Sequence, residues 1–168
     1  PVSIEDTPNV FEKTIYDQVQ LPAVVLTWHS PPYLKSGDAE LDILSAILSG
    51  SEDGRLNQKF IHEQKRVQEF ETFQYSSQEG SLFIIMAFTR PDTDVKKLVH
   101  DIKTEVSAIA NQNRPLSEQE LSLSLKDIEM RWYQNLESNL DRAEQLQSLK
   151  YHTGSTDDFD LLLQRYQD

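Results

Sequence analysis

The chain has 168 residues, of which 38% are hydrophobic and 9% aromatic, and its 16 basic and 28 acidic side chains give a net charge of −12. This size suits one domain that buries a core without disulfides, so we expect residues 1–168 to form a single domain. The negative charge repels phosphate backbones and anionic lipid, which argues against nucleic acid as a partner.

Two further features of the composition narrow the possibilities. The chain contains no cysteine, which excludes disulfides, thiolate metal ligands and a cysteine nucleophile. No apolar run approaches the roughly 20 residues needed to span a bilayer. The sequence begins at Pro1 with neither a methionine nor a signal peptide, so we expect an excised or processed piece of a longer protein.

Two strands are predicted near the start of the chain. Residues 10–16 hold Phe11, Thr14 and Ile15 and are interpreted as an edge strand. Residues 21–28, LPAVVLTW, predict a second strand. Pro22 must lie near its beginning, because a proline cannot donate to a hydrogen bond of the sheet.

Two helices are predicted next. The first begins at residues 37–38 and ends at Gly50, a usual residue for a helix C-terminus. The second follows Asp53, which we expect to cap it by accepting a backbone N–H, and it carries Leu56 and Phe60 on one face because they are four residues apart. The apolar stripe of the first helix is Leu41, Leu44 and Leu48, flanked by Ile43 and Ile47.

Residues 67–88 predict a β-hairpin whose second strand lies in the middle of a sheet. The aromatic residues that follow Val67 lack helical spacing, a polar turn leads to Gly80, and residues 82–88, LFIIMAF, are almost wholly apolar. A strand that is apolar on both faces needs cover on both. Helices can cover one alternating set of side chains, and we expect the other set to face a further apolar surface. The two sets are Leu82, Ile84, Met86 and Phe88, and Phe83, Ile85 and Ala87.

Three helices are predicted in the remainder. Residues 91–94 form a turn and cap for the first. The second begins at a capping box, Ser117-Glu-Gln-Glu120, can bend at residues 138–139, and ends before Gly154. We expect its stripe to be the main helical contribution to the core. The stripes are Val95, Leu98, Val99, Ile102, Val106 and Ile109 in the first helix, Leu121, Leu125, Ile128, Trp132, Leu136 and Leu140 in the second, and Phe159, Leu162, Leu163 and Tyr166 in a short last helix.

The order strand, strand, helix, helix, strand, strand, helix, helix, helix predicts an α+β fold. In this class an antiparallel sheet has helices packed on one face.

The histidines do not assemble into a catalytic motif. A mononuclear zinc hydrolase needs His-Glu-x-x-His or the inverted His-x-x-Glu-His, and neither occurs. His62 and Glu63 are followed by Lys65 and Arg66 where a second ligand would stand. There is also no glycine-rich phosphate loop and no Gly-x-Ser-x-Gly elbow. We therefore predict no catalytic residue and no metal ligand in this chain, and we interpret the other histidines as structural or surface residues: His29, His100 and His152.

Six segments occur in an order and spacing typical of one known family. They are Leu21-Pro22 before an apolar strand, GDAELDILSAIL at residues 37–48, GRL at 54–56, GSLFII at 80–85, LSEQEL at 116–121 and LDRAEQL at 140–146. Together they resemble the insulinase and pitrilysin family of zinc metallopeptidases, in which the zinc motif is inverted.

The resemblance implies a non-catalytic second, C-terminal domain with the two-layer α/β roll of mitochondrial processing peptidase-like metallohydrolases. Members of the family are built from two halves that face each other across a chamber, and usually only the first half carries the zinc motif. A complete half would begin with a strand and a helix before residue 10, so the resemblance implies a truncated second half.

The family also suggests where substrate contacts would be sought. In many relatives the second half supplies an Arg and, seven residues later, a Tyr that hold the substrate backbone. When Arg55 and Leu56 are placed on the family's Arg-Leu, those positions fall at Ile61 and Gln68. The pair is absent, so no substrate contact is carried over and the substrate-binding residues are left unassigned.

The function implied by the resemblance is that of a non-catalytic hydrolase domain. It would close the proteolytic chamber and help admit peptides for hydrolysis by the zinc-bearing half, and this chain alone would be inactive. The expected partners are that half, on the same or another chain, and a peptide substrate. Zinc is expected in the partner half and no cofactor in this chain. The alternative is a structural or assembly module of the same fold without a role in proteolysis. The family favours the bacterial periplasm or cell envelope.

Overall fold

A computed structural model describes residues 11–157 and 159–166. The described part contains three strands and five α-helices, with one π-helix between α1 and β2. In chain order the elements are β1 (Ala23–Ser30), α1 (Asp38–Ser49), the π-helix (Asn57–Glu63), β2 (Val67–Tyr75), β3 (Ser81–Thr89), α2 (Val95–Ala110), α3 (Glu118–Asn135), α4 (Asn139–Thr153) and α5 (Leu161–Gln164). None of the helices in these two ranges is long and apolar enough to cross a membrane.

The strands form an antiparallel sheet in the order β1-β3-β2. The predicted hairpin is confirmed, and its second strand, β3, lies in the middle as expected from its apolar sequence. Pro22 stands just before β1, where its carbonyl accepts a hydrogen bond from the backbone N–H of Thr89 (2.8 Å). Its position agrees with the prediction. Proline has no backbone N–H to donate, and at this place only its carbonyl takes part in the hydrogen bonding of the sheet. The α+β class is confirmed.

The main core lies between one face of the sheet and the helices. On β3 the set Phe83, Ile85 and Ala87 is buried, with 4%, 0% and 0% of its surface exposed. We call this side of the sheet the covered face. The helices α1 and α2 and the π-helix supply the opposing apolar side chains. The buried cluster is Val24, Leu26, Leu48, Leu56, Phe60, Val67, Phe70, Phe83, Ile85, Ala87, Leu98 and Ile102.

Several helix ends follow the predicted capping signals. The Ser117 hydroxyl accepts from the Glu120 backbone N–H (3.2 Å), and the Glu120 carboxylate accepts from the Ser117 backbone N–H (2.9 Å), which completes the capping box. The Asp94 carboxylate accepts from the backbone N–H of Lys97 (3.1 Å) and begins α2. Gly154 ends α4 at φ 80°, a left-handed conformation that glycine adopts without a Cβ clash.

The predicted edge strand at residues 10–16 is wrong within the described part of the chain, which begins at residue 11. Residues 11–16 form no strand, and Phe11, Ile15 and Tyr16 are 82%, 76% and 92% exposed. The apolar residues alone suggested a strand. A strand also needs a neighbour for its backbone hydrogen bonds, and β1 pairs with β3 instead of with this segment.

The predicted cap by Asp53 is also wrong. Its carboxylate accepts from the Gln58 side chain (3.3 Å), and no side chain caps the π-helix. The helical segment instead follows Gly54, whose carbonyl accepts from the Gln58 backbone N–H (2.9 Å). A Cβ at residue 54 would lie 2.7 Å from the Leu48 carbonyl oxygen, so glycine allows this turn to approach the end of α1 closely.

The long predicted helix is two helices, and its stripe is not the main helical part of the core. The break falls at residues 136–138, at the predicted bend, and the Ser138 hydroxyl caps α4 by accepting from the Asp141 N–H (3.4 Å). Leu121 and Leu140 are 40% and 66% exposed, whereas Leu98 and Ile102 of α2 are fully buried. The periodicity was helical, but α3 packs on α1 at the outside of the helical layer.

The last helix is joined to the start of α1 by charged side chains. Asp38 is fully buried, accepts from the backbone N–H of Leu34 (2.9 Å), and forms an ion pair with Arg165. Arg165 also pairs with Asp42 (2.7 Å), and the hydroxyl of Tyr166 donates to the same carboxylate oxygen (2.9 Å). Burial raises the pKa of the Asp42 carboxyl, and Arg165 and the Tyr166 hydroxyl oppose that rise.

Candidate functional site

The four histidines lie on different elements of the structure. His29 is on β1, His62 in the π-helix, His100 on α2 and His152 on α4, where its ring lies 4.5 Å from that of Tyr33. Within residues 11–157 and 159–166, no group of three His, Asp or Glu side chains stands close enough to hold a metal ion. The residues described therefore do not fit a zinc ion, and we seek the functional surface elsewhere.

Among the described residues the helices pack on one face of the sheet, and the other face carries the half-buried side chains of β3. The register places residues from the three strands side by side in four rows, with the half-buried residues of β3 along the centre. We call this surface the open face. Its rows are Ala23, Phe88 and Glu69; Val25, Met86 and Glu71; Thr27, Ile84 and Phe73; and His29, Leu82 and Tyr75.

The open face is apolar at its centre and acidic at one end of β2. Val25, Phe73 and Tyr75 are 53%, 38% and 65% exposed, and they lie on this one face on either side of the half-buried apolar residues of β3. Glu69 and Glu71 occupy the two rows nearest the start of β2. We expected one set of β3 side chains to face away from the helices. That set is Leu82, Ile84, Met86 and Phe88.

A cleft of about 670 Å³ lies where the π-helix meets the start of β2. We call it the Gln68 cleft. The π-helix contributes Asn57, Ile61 and His62 to its lining. A π-helix is rare in proteins and is frequently found at functional sites.

The strand side of the same cleft is also irregular. Val67 pairs with Thr89 and Glu69 with Phe88, so Gln68 is an extra residue that forms a β-bulge. A bulge redirects the side chains of its strand. Gln68, Glu69 and Phe70 all line the cleft. Two separate departures from regular backbone geometry therefore border one cavity.

The polar lining of the Gln68 cleft holds both charged and neutral side chains. Glu52 and Glu69 bring carboxylates, and Arg90 brings the opposite charge. The Asn57 amide nitrogen donates to the carbonyls of Ser49 (3.3 Å) and Ser51 (2.6 Å). Its oxygen, Oδ1, is buried and accepts a hydrogen bond from no group among the described residues. The residue as a whole is 9% exposed. A buried acceptor without a donor is costly and is a sign of a missing ligand or water.

Ion pairs connect the two elements that border the cleft to α2. Lys59 of the π-helix forms an ion pair with Glu105 of α2, which also pairs with Arg114 (2.8 Å). Arg66, between the π-helix and β2, pairs with Asp101 (2.5 Å), and the hydrogen bond from its guanidinium lowers the pKa of the Asp101 carboxyl. The π-helix and the start of β2 are both held onto α2 by these pairs.

The two positions that the family resemblance singled out, Ile61 and Gln68, line this same cleft. Neither carries the Arg or Tyr found in many relatives, so the cleft offers different chemistry at the corresponding place. The remaining polar residues of the cleft were not identified from the sequence. One signal was available: Val67 and Phe70 are apolar with two polar residues between them, which breaks the alternation of a regular strand and indicates a bulge.

Comparison with known families gives a match over most of the chain. Residues 1–126 match the sequence profile of the family described as the Peptidase M16 inactive domain. This agrees with the second-half assignment made from the sequence segments. No curated protein sequence matches the chain.

Three solved structures share the fold. The inactive peptidase domain of a predicted zinc protease from Bordetella parapertussis has a TM-score of 0.78 at 20% identity, with 92% of this chain and 80% of that chain covered. A protease from Helicobacter pylori has a TM-score of 0.76 at 20% identity, covering 90% of this chain and 36% of that chain. A peptidase M16 inactive domain from Pseudomonas fluorescens has a TM-score of 0.70 at 16% identity, covering 87% and 34%. This chain thus spans about a third of the Helicobacter pylori protease.

Proposed function

The chain belongs to the Peptidase M16 inactive domain family, and on that premise we propose that it closes the proteolytic chamber of a zinc metallopeptidase and helps admit peptides to it. The zinc and the hydrolytic residues are supplied by a partner half, on the same or another chain. That half would provide the chemistry, since a bound zinc ion would polarise the scissile carbonyl and lower the pKa of a water molecule. This chain confines the peptide within the chamber.

The observation that carries the proposal is the open face. Val25 on β1 and Phe73 and Tyr75 on β2 flank the apolar residues of β3 on this face and remain substantially exposed. An apolar surface of this kind is unfavourable in water and favours a covered or enclosed position. As the wall of a chamber, it would face the partner half and would contact apolar side chains of an unfolded peptide.

The edge of β2 supplies a second element of the proposal. Within the described residues β2 pairs with β3 on one side and with no strand on the other. An extended peptide can add to such an edge through main-chain hydrogen bonds, which bind it without regard to sequence. The edge lies beside the open face, so one peptide can use both.

The first test is assembly and hydrolysis with the zinc-bearing half. We expect neither half alone to cleave an unstructured peptide, the combined halves to cleave it, and a chelator to abolish cleavage. We also expect this chain alone to bind a hydrophobic dye, and the partner half to suppress that binding. If the halves assemble with zinc present and hydrolyse no unstructured peptide, the chain is a structural module and the proposal fails.

A matched pair of tyrosines tests the open face itself. Tyr75 lies on the open face and is 65% exposed, and Tyr151 lies on α4 and is 68% exposed. Because both are exposed, glutamate at either position should leave folding intact. Tyr75→Glu should lower kcat/KM for an apolar peptide by about fivefold, equivalent to about 1 kcal/mol, whereas Tyr151→Glu should not. Equal kinetics for the two variants would show that the open face does not meet the substrate or the partner half.

A further inference from the structure

We propose that the Gln68 cleft binds a basic side chain, lysine or arginine, of the admitted peptide and so determines which peptides the protein prefers. This inference rests on the proposed function, because it names the class of side chain that the same peptide would carry.

The charges of the cleft favour a cation. The carboxylates of Glu52 and Glu69 form no ion pair within residues 11–157 and 159–166, and neither does the guanidinium of Arg90. Two carboxylates therefore face one guanidinium in the lining, which also includes the imidazole of His62. A lysine ammonium or an arginine guanidinium that enters the cleft would find acceptors that no protein group occupies.

Asn57 lines the cleft, and its amide oxygen has no donor among the described residues, which favours a ligand that donates hydrogen bonds. Its amide nitrogen is fixed by the carbonyls of Ser49 and Ser51, so Oδ1 is the atom of that amide left to accept a hydrogen bond. Lysine has three N–H donors and no acceptor, and arginine has five. Either side chain therefore supplies the donor that this acceptor lacks, whereas a carboxylate or a carbonyl of a ligand supplies none.

The apolar part of the lining matches the stem of a basic residue. Ile61 is half-buried and Phe70 is 6% exposed, and both line the cleft beside the charged residues. Lysine and arginine bury their methylene stems against apolar surface while the charged end stays among polar groups. The cleft therefore has a place for each part of such a side chain.

The cleft also lies within reach of a peptide on the edge of β2. Gln68 and Glu69 belong to that strand, at the bulge where its pairing with β3 is interrupted. A peptide that extends the sheet at β2 would pass this bulge. The net charge of −12 further favours basic peptides over acidic ones before any contact is made.

The experiment uses the assembled peptidase and two peptides that differ at one residue, lysine or norleucine. Norleucine keeps the methylene stem and removes the charge. We expect the lysine peptide to bind and to be cleaved preferentially. Glu69→Gln or Glu52→Gln should each reduce that preference about fivefold, and Arg90→Gln should increase it. The preference should also shrink as salt concentration rises.

Glu137→Gln is the control. Glu137 is an exposed carboxylate between α3 and α4, outside both the open face and the lining of the cleft. Its replacement should leave the lysine preference unchanged. If Glu69→Gln and Glu137→Gln change the preference equally, the cleft does not bind the basic side chain and the inference is wrong.

Peptide binding, measured by fluorescence anisotropy on the assembled protein kept in chelator, separates this inference from the proposed function. If both peptides are hydrolysed with equal kcat/KM, the cleft inference fails and the peptidase role stands. If the lysine peptide binds selectively, with the expected effect of Glu69→Gln, and the zinc-loaded assembly hydrolyses neither peptide, the cleft inference stands and the peptidase role fails.

Discussion

Arg55 binds Glu120 through two parallel hydrogen bonds, from Nε to Oε1 at 2.5 Å and from Nη2 to Oε2 at 2.8 Å. The same guanidinium donates to the backbone carbonyls of Arg114 and Pro115, both at 2.8 Å. One side chain next to the π-helix therefore fixes both the linker after α2 and the first turn of α3. The Glu120 carboxylate also caps α3 through Ser117, so the pair joins two elements that are distant in sequence.

Replacing Arg55 by glutamine should lower the free energy of unfolding by about 2 kcal/mol, because hydrogen bonds to a charged group are lost and two carbonyls lose their donor. Arg142→Gln is the control, since Arg142 is exposed and its guanidinium contacts the Asn139 side chain within its own helix. That change should cost less than about 0.5 kcal/mol. Urea denaturation of the two variants measures the difference, and similar midpoints would contradict the role of Arg55.

The same pair predicts an acid-sensitive contribution to stability. The hydrogen bond from Arg55 holds the pKa of the Glu120 carboxyl at about 2, below its ordinary value of 4.5. A carboxyl whose folded pKa is lowered contributes stability that is complete above its unfolded pKa and is lost as the pH falls through the folded one. The contribution should therefore disappear between pH 4.5 and about 2.

Glu120→Gln isolates this effect from the titration of other carboxylates. We expect the variant to be less stable than the wild type near neutral pH, and the difference between them to shrink as the pH falls from 4.5 toward 2. Chemical denaturation at a series of pH values provides the measurement. A difference that stays constant over this range would show that Glu120 has an ordinary pKa.

Much of the fold was predictable because local signals and burial agree. The apolar run of β3, the Ser117 capping box and the Asp94 cap each correspond to an interaction within a few residues or to a central place in the sheet. The predictions that are wrong depend on which elements pack or pair with each other, and the local sequence does not specify this. Residues 11–16 have apolar side chains but no pairing strand, and Leu121 has helical spacing on a helix that lies outside the core.

The Gln68 cleft illustrates why a site is harder to predict than a fold. Its residues come from the turn before the π-helix, the π-helix, the start of β2 and the residue after β3, and no motif spacing connects Glu52 with Arg90. The π-helix has no recognisable sequence pattern, because the same residues predict an ordinary α-helix. The bulge at Gln68 left a trace in the spacing of Val67 and Phe70, but its place beside Asn57 is a matter of tertiary packing.

The two faces of the sheet should differ in their tolerance of mutation. Phe83 is 4% exposed on the covered face, and Phe83→Ala should cost about 3–5 kcal/mol through lost burial and an unfilled cavity. Phe73 is 38% exposed on the open face, and Phe73→Ala should cost about 1 kcal/mol. Denaturation midpoints give the comparison. Equal losses would mean that both faces are covered within this chain.

The contact between the last helix and α1 supports the final prediction. Arg165→Met keeps most of the side-chain volume but leaves the carboxylates of Asp38 and Asp42 without their cation. Because Asp38 is fully buried, the loss should cost about 3–5 kcal/mol, the usual penalty for removing one partner of a buried ion pair. Asp38→Asn in the Arg165→Met background should recover part of this stability, since it removes the uncompensated charge and keeps an acceptor for the Leu34 N–H. Thermal or urea denaturation of the single and double variants tests both statements. If Arg165→Met unfolds at the wild-type midpoint, the ion pairs of Arg165 do not hold the C-terminal helix in place.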